Sequence, residues 1–256
     1  MGLYRTEAVV LGHKKLGEAD KILTLFSPEK GKIHAVARGV CRPRNHLIGG
    51  TQLFSYSSFL LFNGKSLDTI GQCEVKESFF RIREELNRMA YGLYFAELLQ
   101  ASTPAEEKNR HLFYFFLKTL HLLQNHADLE LLSRIYEIKL MALQGFAPQL
   151  SECVMCGEEV KHNVGFSPAL GGIICSKCHG EDSHSVKISM RTLEIMKRIM
   201  YGTYESINNL DTDKIIMTQL KESLRLFIEY HINKKLKSTM FLNDVYKLDK
   251  LNKNEA

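Results

Sequence analysis

Six of the 256 residues are cysteine, and four of them fall into two pairs of identical spacing: Cys153-Val-Met-Cys156 and, eighteen residues on, Cys175-Ser-Lys-Cys178. A Cys-x-x-Cys knuckle turns tightly enough to aim two sulfurs at one point. Two knuckles close a tetrahedron around an ion at roughly 2.3 Å per zinc–sulfur bond. Gly157 follows the first pair and eases its turn. Between the pairs, Gly165-Phe-Ser-Pro168 and Gly171-Gly-Ile-Ile174 read as a short hairpin that brings the knuckles together. All four ligand positions are thiolates, which leaves no open coordination position for water. The expected metal is therefore one structural Zn2+, fixing a segment of about thirty residues too small to hold a core of its own. Cys175-Ser-Lys-Cys178-His179 also spells the haem-attachment pattern. The second cysteine pair and the lack of an export signal count against that reading. No βαβ unit surrounds either knuckle, as a thioredoxin-like redox pair would require. In a zinc deaminase the H-x-E element precedes P-C-x-x-C, whereas His179-Gly-Glu181 follows the cysteines and no proline precedes either pair. Cys41 and Cys73 stand alone and read as ordinary buried or loop thiols.

The second chemical signal is charge. The chain carries 34 Lys and Arg against 29 Asp and Glu, a formal net charge of +5. Residues 1–50 alone hold nine basic residues (Arg5, Lys14, Lys15, Lys21, Lys30, Lys32, Arg38, Arg42, Arg44) and four acidic ones (Glu7, Glu18, Asp20, Glu29), which equals the excess of the whole chain. A further basic stretch, Lys234-Lys235-Leu236-Lys237, lies near the end. A localised cationic segment is the electrostatic footprint of a polyanion binder; the alternative is a solvated basic surface on an ordinary domain.

The elements that must position these groups change character near residue 77. Residues 3–76 read as strands. Glu18–Phe26 ends at the turn signal Ser27-Pro28, and Gly31 opens Lys32-Ile33-His34-Ala35-Val36-Ala37-Arg38, closed by Gly39. That last segment alternates, with Ile33, Ala35 and Ala37 on one face and Lys32, His34, Val36 and Arg38 on the other, as in a half-buried strand with a cationic outer side. Gln52–Phe62 and Leu67–Val75 flank Asn63-Gly64, a hairpin signal. Five short strands with glycine-marked turns predict a small closed barrel. An OB-fold is the common nucleic-acid-binding form, and an SH3-like barrel fits the periodicity nearly as well. Phe54 and Tyr56 fall on one strand face and could stack bases, but core positions are favoured in a barrel that must fill its interior.

From Glu77 onward the spacing is helical. Phe79, Ile82, Leu86, Met89, Leu93 and Leu98 predict one helix over 79–101, with Glu97 at its edge. Thr103-Pro104-Ala105-Glu106 reads as a helix start with a capping box. Asp128 opens a helix to Leu143, ended by Gly145 with Pro148 beyond, and Ser189–Met200 and Asp213–Leu236 read as helices around Gly202. Aromatic stripes such as Phe113 and Phe116 fit one buried helix face. The expected fold class is therefore α+β and multidomain: an N-terminal OB-fold β-barrel over 1–78, then a mainly helical domain over 79–256 interrupted by a four-cysteine zinc module at 151–187.

Other chemistry is missing. The longest apolar runs, such as Phe59-Leu60-Leu61-Phe62, are far short of the roughly 20 residues a bilayer needs, so no membrane-spanning helix is expected. The first residues lack a signal-peptide layout, and a cytoplasmic location is expected. Composition, 45% hydrophobic and 25% charged, is that of a globular chain. Gly12-His-Lys-Lys-Leu-Gly17-Glu18 has the glycine spacing of a phosphate-binding loop but Glu where Lys is required, and Gly64-Lys65-Ser66 has the end of that motif without its first glycine. Neither G-x-G-x-x-G, G-x-S-x-G nor H-E-x-x-H occurs. Lone histidines such as His121 and His126 read as helix residues. A binding module, not an enzyme, is expected; the alternatives are a zinc-stabilised nucleic-acid-processing enzyme and a protein-interaction scaffold.

The order of a basic barrel, a helical region, a four-cysteine insert and closing helices resembles the RecO family of bacterial recombination mediators in DNA repair. The carrying residues are Leu16-Gly17-Glu18-Ala19-Asp20-Lys21-Ile22, Gly31-Lys32-Ile33-His34-Ala35-Val36-Ala37-Arg38-Gly39-Val40 and Leu236-Lys237-Ser238. The resemblance covers nearly the whole chain, and all four cysteines are kept. It departs at Asn45-His46, where relatives typically carry Ser-Arg. The resemblance implies binding of single- and double-stranded DNA, annealing of complementary strands, and docking of the acidic C-terminal tail of the single-stranded-DNA-binding protein. It also implies action with RecR in loading RecA, at the nucleoid. By resemblance and charge, the DNA-facing residues are Lys32, His34, Arg38, Arg42 and Arg44, with Lys14 and Lys15. An apolar pocket rimmed by basic groups is the expected receptor for the tail; Arg110, Lys118, Arg134 and Lys139 are available, and the sequence does not choose among them.

Overall fold

The computed structural model describes residues 2–254 except Glu106, Asn163, Asn208 and Asn209, with the backbone alone over 249–254. Five strands close into a barrel: β1 (Leu3–Leu16), β2 (Asp20–Ser27), β3 (Gly31–Ala37), β4 (Tyr56–Phe62) and β5 (Asp68–Glu77), in the order β1-β2-β3-β5-β4. The long β1 serves two partners. Leu3–Val9 pairs with β4 and Val9–Leu16 with β2, and the register shifts between Val10 and Gly12. That irregularity bends the strand around the barrel. A short parallel pairing of β3 with β5, at Ala35↔Asp68 and Val36↔Thr69, completes the closure. The arrangement is OB-like, which decides between the two barrels that strand periodicity left open. The interior is filled by Ala8, Val10, Leu23, Leu25, Ile33, Ala35, Ala37, Phe59, Leu61 and Ile70, and Val40 and Leu47 from the turn-rich segment after β3 join the same buried cluster. Ile33, Ala35 and Ala37 point inward and His34 outward, as period-2 alternation requires.

By compactness the barrel does not stand apart from the chain beyond residue 78. One unit comprises residues 1–127 with 236–256, and a second comprises residues 128–235. In the first, α1 (Phe80–Glu84), α2 (Leu86–Ser102) and α3 (Arg110–Asn125) accompany the barrel. The reason is aromatic packing. Phe26 of β2 lies 6.0 Å from Phe113 and 6.5 Å from Phe116 of α3, ring to ring, and Tyr56 lies 5.9 Å from Phe113. Burying each such ring contributes about 2–3 kcal/mol. Phe54 is fully buried against Gly92 of α2, where a Cβ would meet its ring at 2.7 Å.

The helix expected over 79–101 is two helices. Phe79 is left-handed (φ 46°), so α1 starts only after it, and the extended Glu85 breaks the chain between α1 and α2. The buried positions of α2 are Ala90, Gly92, Tyr94, Phe95, Ala96, Leu98 and Leu99, while Leu86 is exposed. It packs on the barrel, α3 and α8 together, so burial runs round much of its circumference and the single stripe read from spacing does not mark its core. The helix start expected at Thr103 is also displaced. Thr103 ends α2, and α3 begins after Asn109, whose side chain accepts from Leu112 N–H at 2.9 Å; Glu106 lies outside the described residues.

The second unit holds α4 (Leu129–Leu143), α5 (Met190–Tyr201), α6 (Tyr204–Ile207) and α7 (Lys214–Ile232). Asp128, Ser189 and Asp213 cap α4, α5 and α7 through their side chains, and Gly202 ends α5. α7 stops at Asn233 (φ 50°), short of the expected Leu236, because asparagine tolerates the left-handed conformation that terminates helices. A last helix, α8 (Ser238–Asn254), belongs with the first unit and packs on α2. Among the described residues no helix is long and apolar enough to cross a membrane.

Candidate metal centre and nucleic-acid interface

The cysteine segment builds its site from turns. In the first knuckle Gly157 N–H donates to Cys153 C=O at 2.8 Å, with Gly157 at φ 74°, a conformation that costs glycine nothing. In the second, Cys178 N–H and His179 N–H both donate to Cys175 C=O, at 3.1 and 3.0 Å. The expected hairpin is present as β6 (Gly165–Ser167) and β7 (Gly172–Ile174), with β8 (Val186–Lys187) on its other side. Phe166 anchors it on Phe227 of α7, ring centroids 5.8 Å apart. The sulfurs of Cys153, Cys156, Cys175 and Cys178 lie within 4.8 Å of one another. Cys156 Sγ and Cys175 Sγ are 3.8 Å apart, which is about the edge of a tetrahedron with 2.3 Å metal–sulfur bonds. Three of the four cysteines are buried and Cys156 is exposed.

The protonation of the cluster points the same way. Burial raises the Cys153 thiol, but backbone N–H groups of Cys156, Cys175 and Met155 outweigh it and bring it to about 6. The thiol of Cys178, hydrogen-bonded by Cys175 and beside the Cys153 charge, is pushed far above its ordinary value. Four sulfurs so close cannot all ionise unless a cation sits among them. The residues fit a four-coordinate metal, and the four cysteines can bind one.

On the barrel, strand pairing sorts the cations. Directly opposed residues share a face. Lys14↔Ile22, Ile22↔Val36 and Thr24↔His34 therefore place Lys14 and His34 together on the outer face of β1-β2-β3. Arg38, one step beyond Ala37, continues that face, and all three are exposed. Lys15 is opposed to Lys21, and Lys21 to Ala37 of the barrel core, so Lys15 projects to the other side of the sheet. Lys32 shares the outer face with Phe26, but there the face is covered by α3. Lys32 is half-buried, and its Nζ donates to Gln100 C=O at 2.8 Å, satisfying one of the terminal carbonyls of α2. The outer face is thus bare at the Lys14–His34–Arg38 end and occupied at the Lys32 end.

The segment after β3 extends the bare end. Arg42 and Arg44 are exposed, with Arg44 at φ 64°. Among the described residues, Lys14, Lys15, Arg38, Arg42 and Arg44 form no ion pair. Two side chains that spacing did not single out hold this segment. Asp20 Oδ1 accepts from Gly39 N–H at 2.7 Å, next to Cys41 N–H donating to Ala19 C=O at 2.9 Å. Asn45 Nδ2 donates to Arg38 C=O at 3.2 Å while its Oδ1 accepts from Leu47 N–H at 2.8 Å. The turn between β1 and β2 is in this way tied to the start of the arginine loop.

Phe54 and Tyr56 are not stacking platforms. Phe54 is buried at φ 67°, and the half-buried Tyr56 hydroxyl donates to Glu7. Of the four basic groups weighed for the tail receptor, Arg134 is 5% exposed and held by Glu137 at 2.9 Å, Arg110 pairs with Glu29, and Lys139 donates to Gly202 C=O at 2.9 Å.

The N-terminal part of the chain, residues 1–79, matches the model of the family described as "Recombination protein O N terminal", and residues 83–240 match "Recombination protein O C terminal". The chain belongs to the RecO family. It is 40% identical over 243 residues to the DNA repair protein RecO of Pelotomaculum thermopropionicum, covering 95% of this chain and 94% of that one. To the DNA repair protein RecO of Alkaliphilus metalliredigens it is 38% identical over 233 residues, 91% of this chain and 95% of that one. To the DNA repair protein RecO of Symbiobacterium thermophilum it is 38% identical over 247 residues, 95% and 98% respectively. The segments that carry the RecO resemblance have structural work in this fold. Asp20 and Gly39 bond each other across two of them. In the third, Lys237 and Ser238 N–H groups donate to the Glu97 carboxylate at 3.0 and 2.7 Å, which seats the start of α8 on α2.

Proposed function

We propose that this chain is a non-enzymatic recombination mediator that grips DNA through the bare outer face of β1-β2-β3 and the loop beyond it. The observation that carries this is the row Lys14, His34, Arg38, Arg42 and Arg44: exposed, outside any ion pair among the described residues, and held in place by Asp20 and Asn45. Lys15 lies on the reverse side and adds to the local positive potential. Lys32, committed to the end of α2, contributes field more than contact. Such a face reads phosphates and not bases, so it accepts single and double strands alike and discriminates little by sequence. Two complementary strands screened on one cationic surface repel each other less, a physical route to annealing.

The family membership supports the rest of the reading: docking of the acidic tail of the single-stranded-DNA-binding protein, action with RecR in loading RecA, and a cytoplasmic, nucleoid-associated site of action. The metal is Zn2+, one per chain, structural because four thiolates complete its coordination. The deciding experiment is a titration of unrelated single- and double-stranded oligonucleotides over a range of salt, with annealing rates measured with and without the single-stranded-DNA-binding protein. Sequence-independent, salt-sensitive binding and accelerated annealing are expected. Absence of binding at low salt would remove this reading.

A further inference from the structure

The ladder between β3 and β5 begins only at Ala35↔Asp68, so Gly31–His34 borders a cleft instead of a neighbouring strand. The cleft measures about 390 Å³, within the range of small-ligand sites. One wall is the loop between β4 and β5, with Asn63, Lys65 and Ser66; another is β3 with Lys32 and His34; Lys30 stands at the turn before β3. On the α2 side the cleft is closed, because Ala105 bridges Lys32 and the following chain packs on Gly31, where a Cβ would meet Glu107 C=O at 2.2 Å.

The charges around this cleft are lopsided. Lys30, Lys32, Lys65 and His34 line it, and its two carboxylates are already engaged. Asp68 accepts from Gly64 N–H at 3.0 Å through one oxygen and from the Tyr4 hydroxyl through the other. Glu29 is held by Lys108 and Arg110. Lys30 Nζ is fixed 3.5 Å above the Tyr4 ring and Lys32 Nζ by Gln100, so two of the cations are positioned before any ligand arrives. Ser66 hydroxyl and Asn63 amide supply neutral donors. Gly64-Lys65-Ser66, which lacks the first glycine of a Walker loop, forms part of this wall.

We infer that the cleft binds a phosphomonoester carried on a nucleotide, at a DNA end or as a free mononucleotide. A monoester carries about −1.5 to −2 at pH 7 against −1 for a backbone diester, and point-charge lysines answer that difference. His34 belongs both to the cleft and to the outer face proposed for DNA, so an end lodged here would continue onto that face. The DNA-end form of the inference rests on that reading; the mononucleotide form does not.

The test uses the full chain. Binding is measured by anisotropy for one single-stranded oligonucleotide bearing a 5′-phosphate, a 3′-phosphate or hydroxyl ends, and by calorimetry for thymidine 5′-monophosphate against thymidine. We expect a phosphorylated end to bind about tenfold tighter than the hydroxyl end, and the monophosphate to bind where thymidine does not. Lys65→Ala and Lys30→Ala should abolish both preferences while leaving the hydroxyl-ended oligonucleotide's affinity within about twofold. Lys65 is exposed in the loop between β4 and β5, so its loss does not threaten the fold. If the monophosphate binds in a Lys65-dependent way and no oligonucleotide does, the cleft stands and the DNA reading falls. If neither phosphate source is preferred over its hydroxyl counterpart, or if the preference survives both substitutions, the inference is overturned whatever the chain does with DNA.

Discussion

Replacing Arg38, Arg42 and Arg44 together by alanine removes three exposed guanidiniums that have no protein counter-charge among the described residues. Each phosphate neutralised on a single strand contributes about 0.7 to the slope of log affinity against log salt, and each on a duplex about 0.9. Three contacts therefore account for about 2 units of slope on single strands and about 2.7 on duplex. Between 50 and 200 mM salt, that is roughly a 20-fold change in single-strand affinity and roughly 40-fold for duplex which the variant no longer shows. Its deficit should be large at low salt, shrink at high salt, and be the same for unrelated sequences. Anisotropy titrations at four or five salt concentrations read the slope directly. None of the three side chains enters the barrel core, so the melting temperature should hold. An unchanged slope in a folded variant would place the phosphate contacts elsewhere on the chain and refute the reasoning from exposed, unpaired charge.

Elemental analysis should find about one zinc per chain; Cys153→Ser or a strong chelator should lower the thermal stability of the 128–235 unit while leaving the salt slope of DNA binding untouched. Gly31→Ala should destabilise by more than the roughly 1–2 kcal/mol of a left-handed non-glycine residue, because at φ 60° the new Cβ also meets Glu107 C=O; denaturant melts measure it. Asp20→Ala frees Gly39 N–H and should weaken DNA binding without changing the number of cations, which separates positioning of the arginine loop from its charge. The Glu7 carboxyl, bonded by Lys76 and then by Tyr56, sits below the ordinary glutamate value. Its contribution is present above the unfolded value of about 4.3 and lost as pH falls through the lower folded value, so Glu7→Gln should flatten the acid limb of the stability profile.

What could be read from the sequence was whatever local periodicity or spacing controls. Alternation alone sets the inward Ile33, Ala35 and Ala37, and two Cys-x-x-Cys knuckles need only a hairpin between them, which glycines at 165, 171 and 172 announce. Helix starts at Asp128, Ser189 and Asp213 were legible for the same reason, and in the fold each of these side chains caps its helix. Long-range packing was not. Nothing in the spacing of residues 79–101 says that α2 faces three neighbours at once, or that the chain breaks at Glu85. Nor does alternation reveal that the outer face of β3 is covered at Lys32 and bare at His34, since Phe26 and α3 decide that from more than 80 residues apart. Asp20 and Asn45 carry no such mark because each acts on a backbone group across a loop, a role with no signature in residue type beyond the ability to accept and donate at short range.

Charge separates the two chemical features of the chain as firmly as structure does. Residues 151–187 carry five acidic side chains (Glu152, Glu158, Glu159, Glu181, Asp182) against three lysines (Lys161, Lys177, Lys187). Four thiolates around a divalent ion would leave two more negative charges on that segment. A phosphate backbone is repelled by such a surface and attracted by residues 1–50, where nine bases stand against four acids. The cysteine segment is thus electrostatically unsuited to gripping DNA directly. Its hairpin instead gives Phe227 of α7 an aromatic partner in Phe166, so an ion held by the four cysteines would act on the helices through packing. Loss of the metal should accordingly appear first in the cooperativity of unfolding of that unit, while the cation row on the barrel, built on strand register and the loop hydrogen bonds of Asp20, Cys41 and Asn45, has no physical reason to respond.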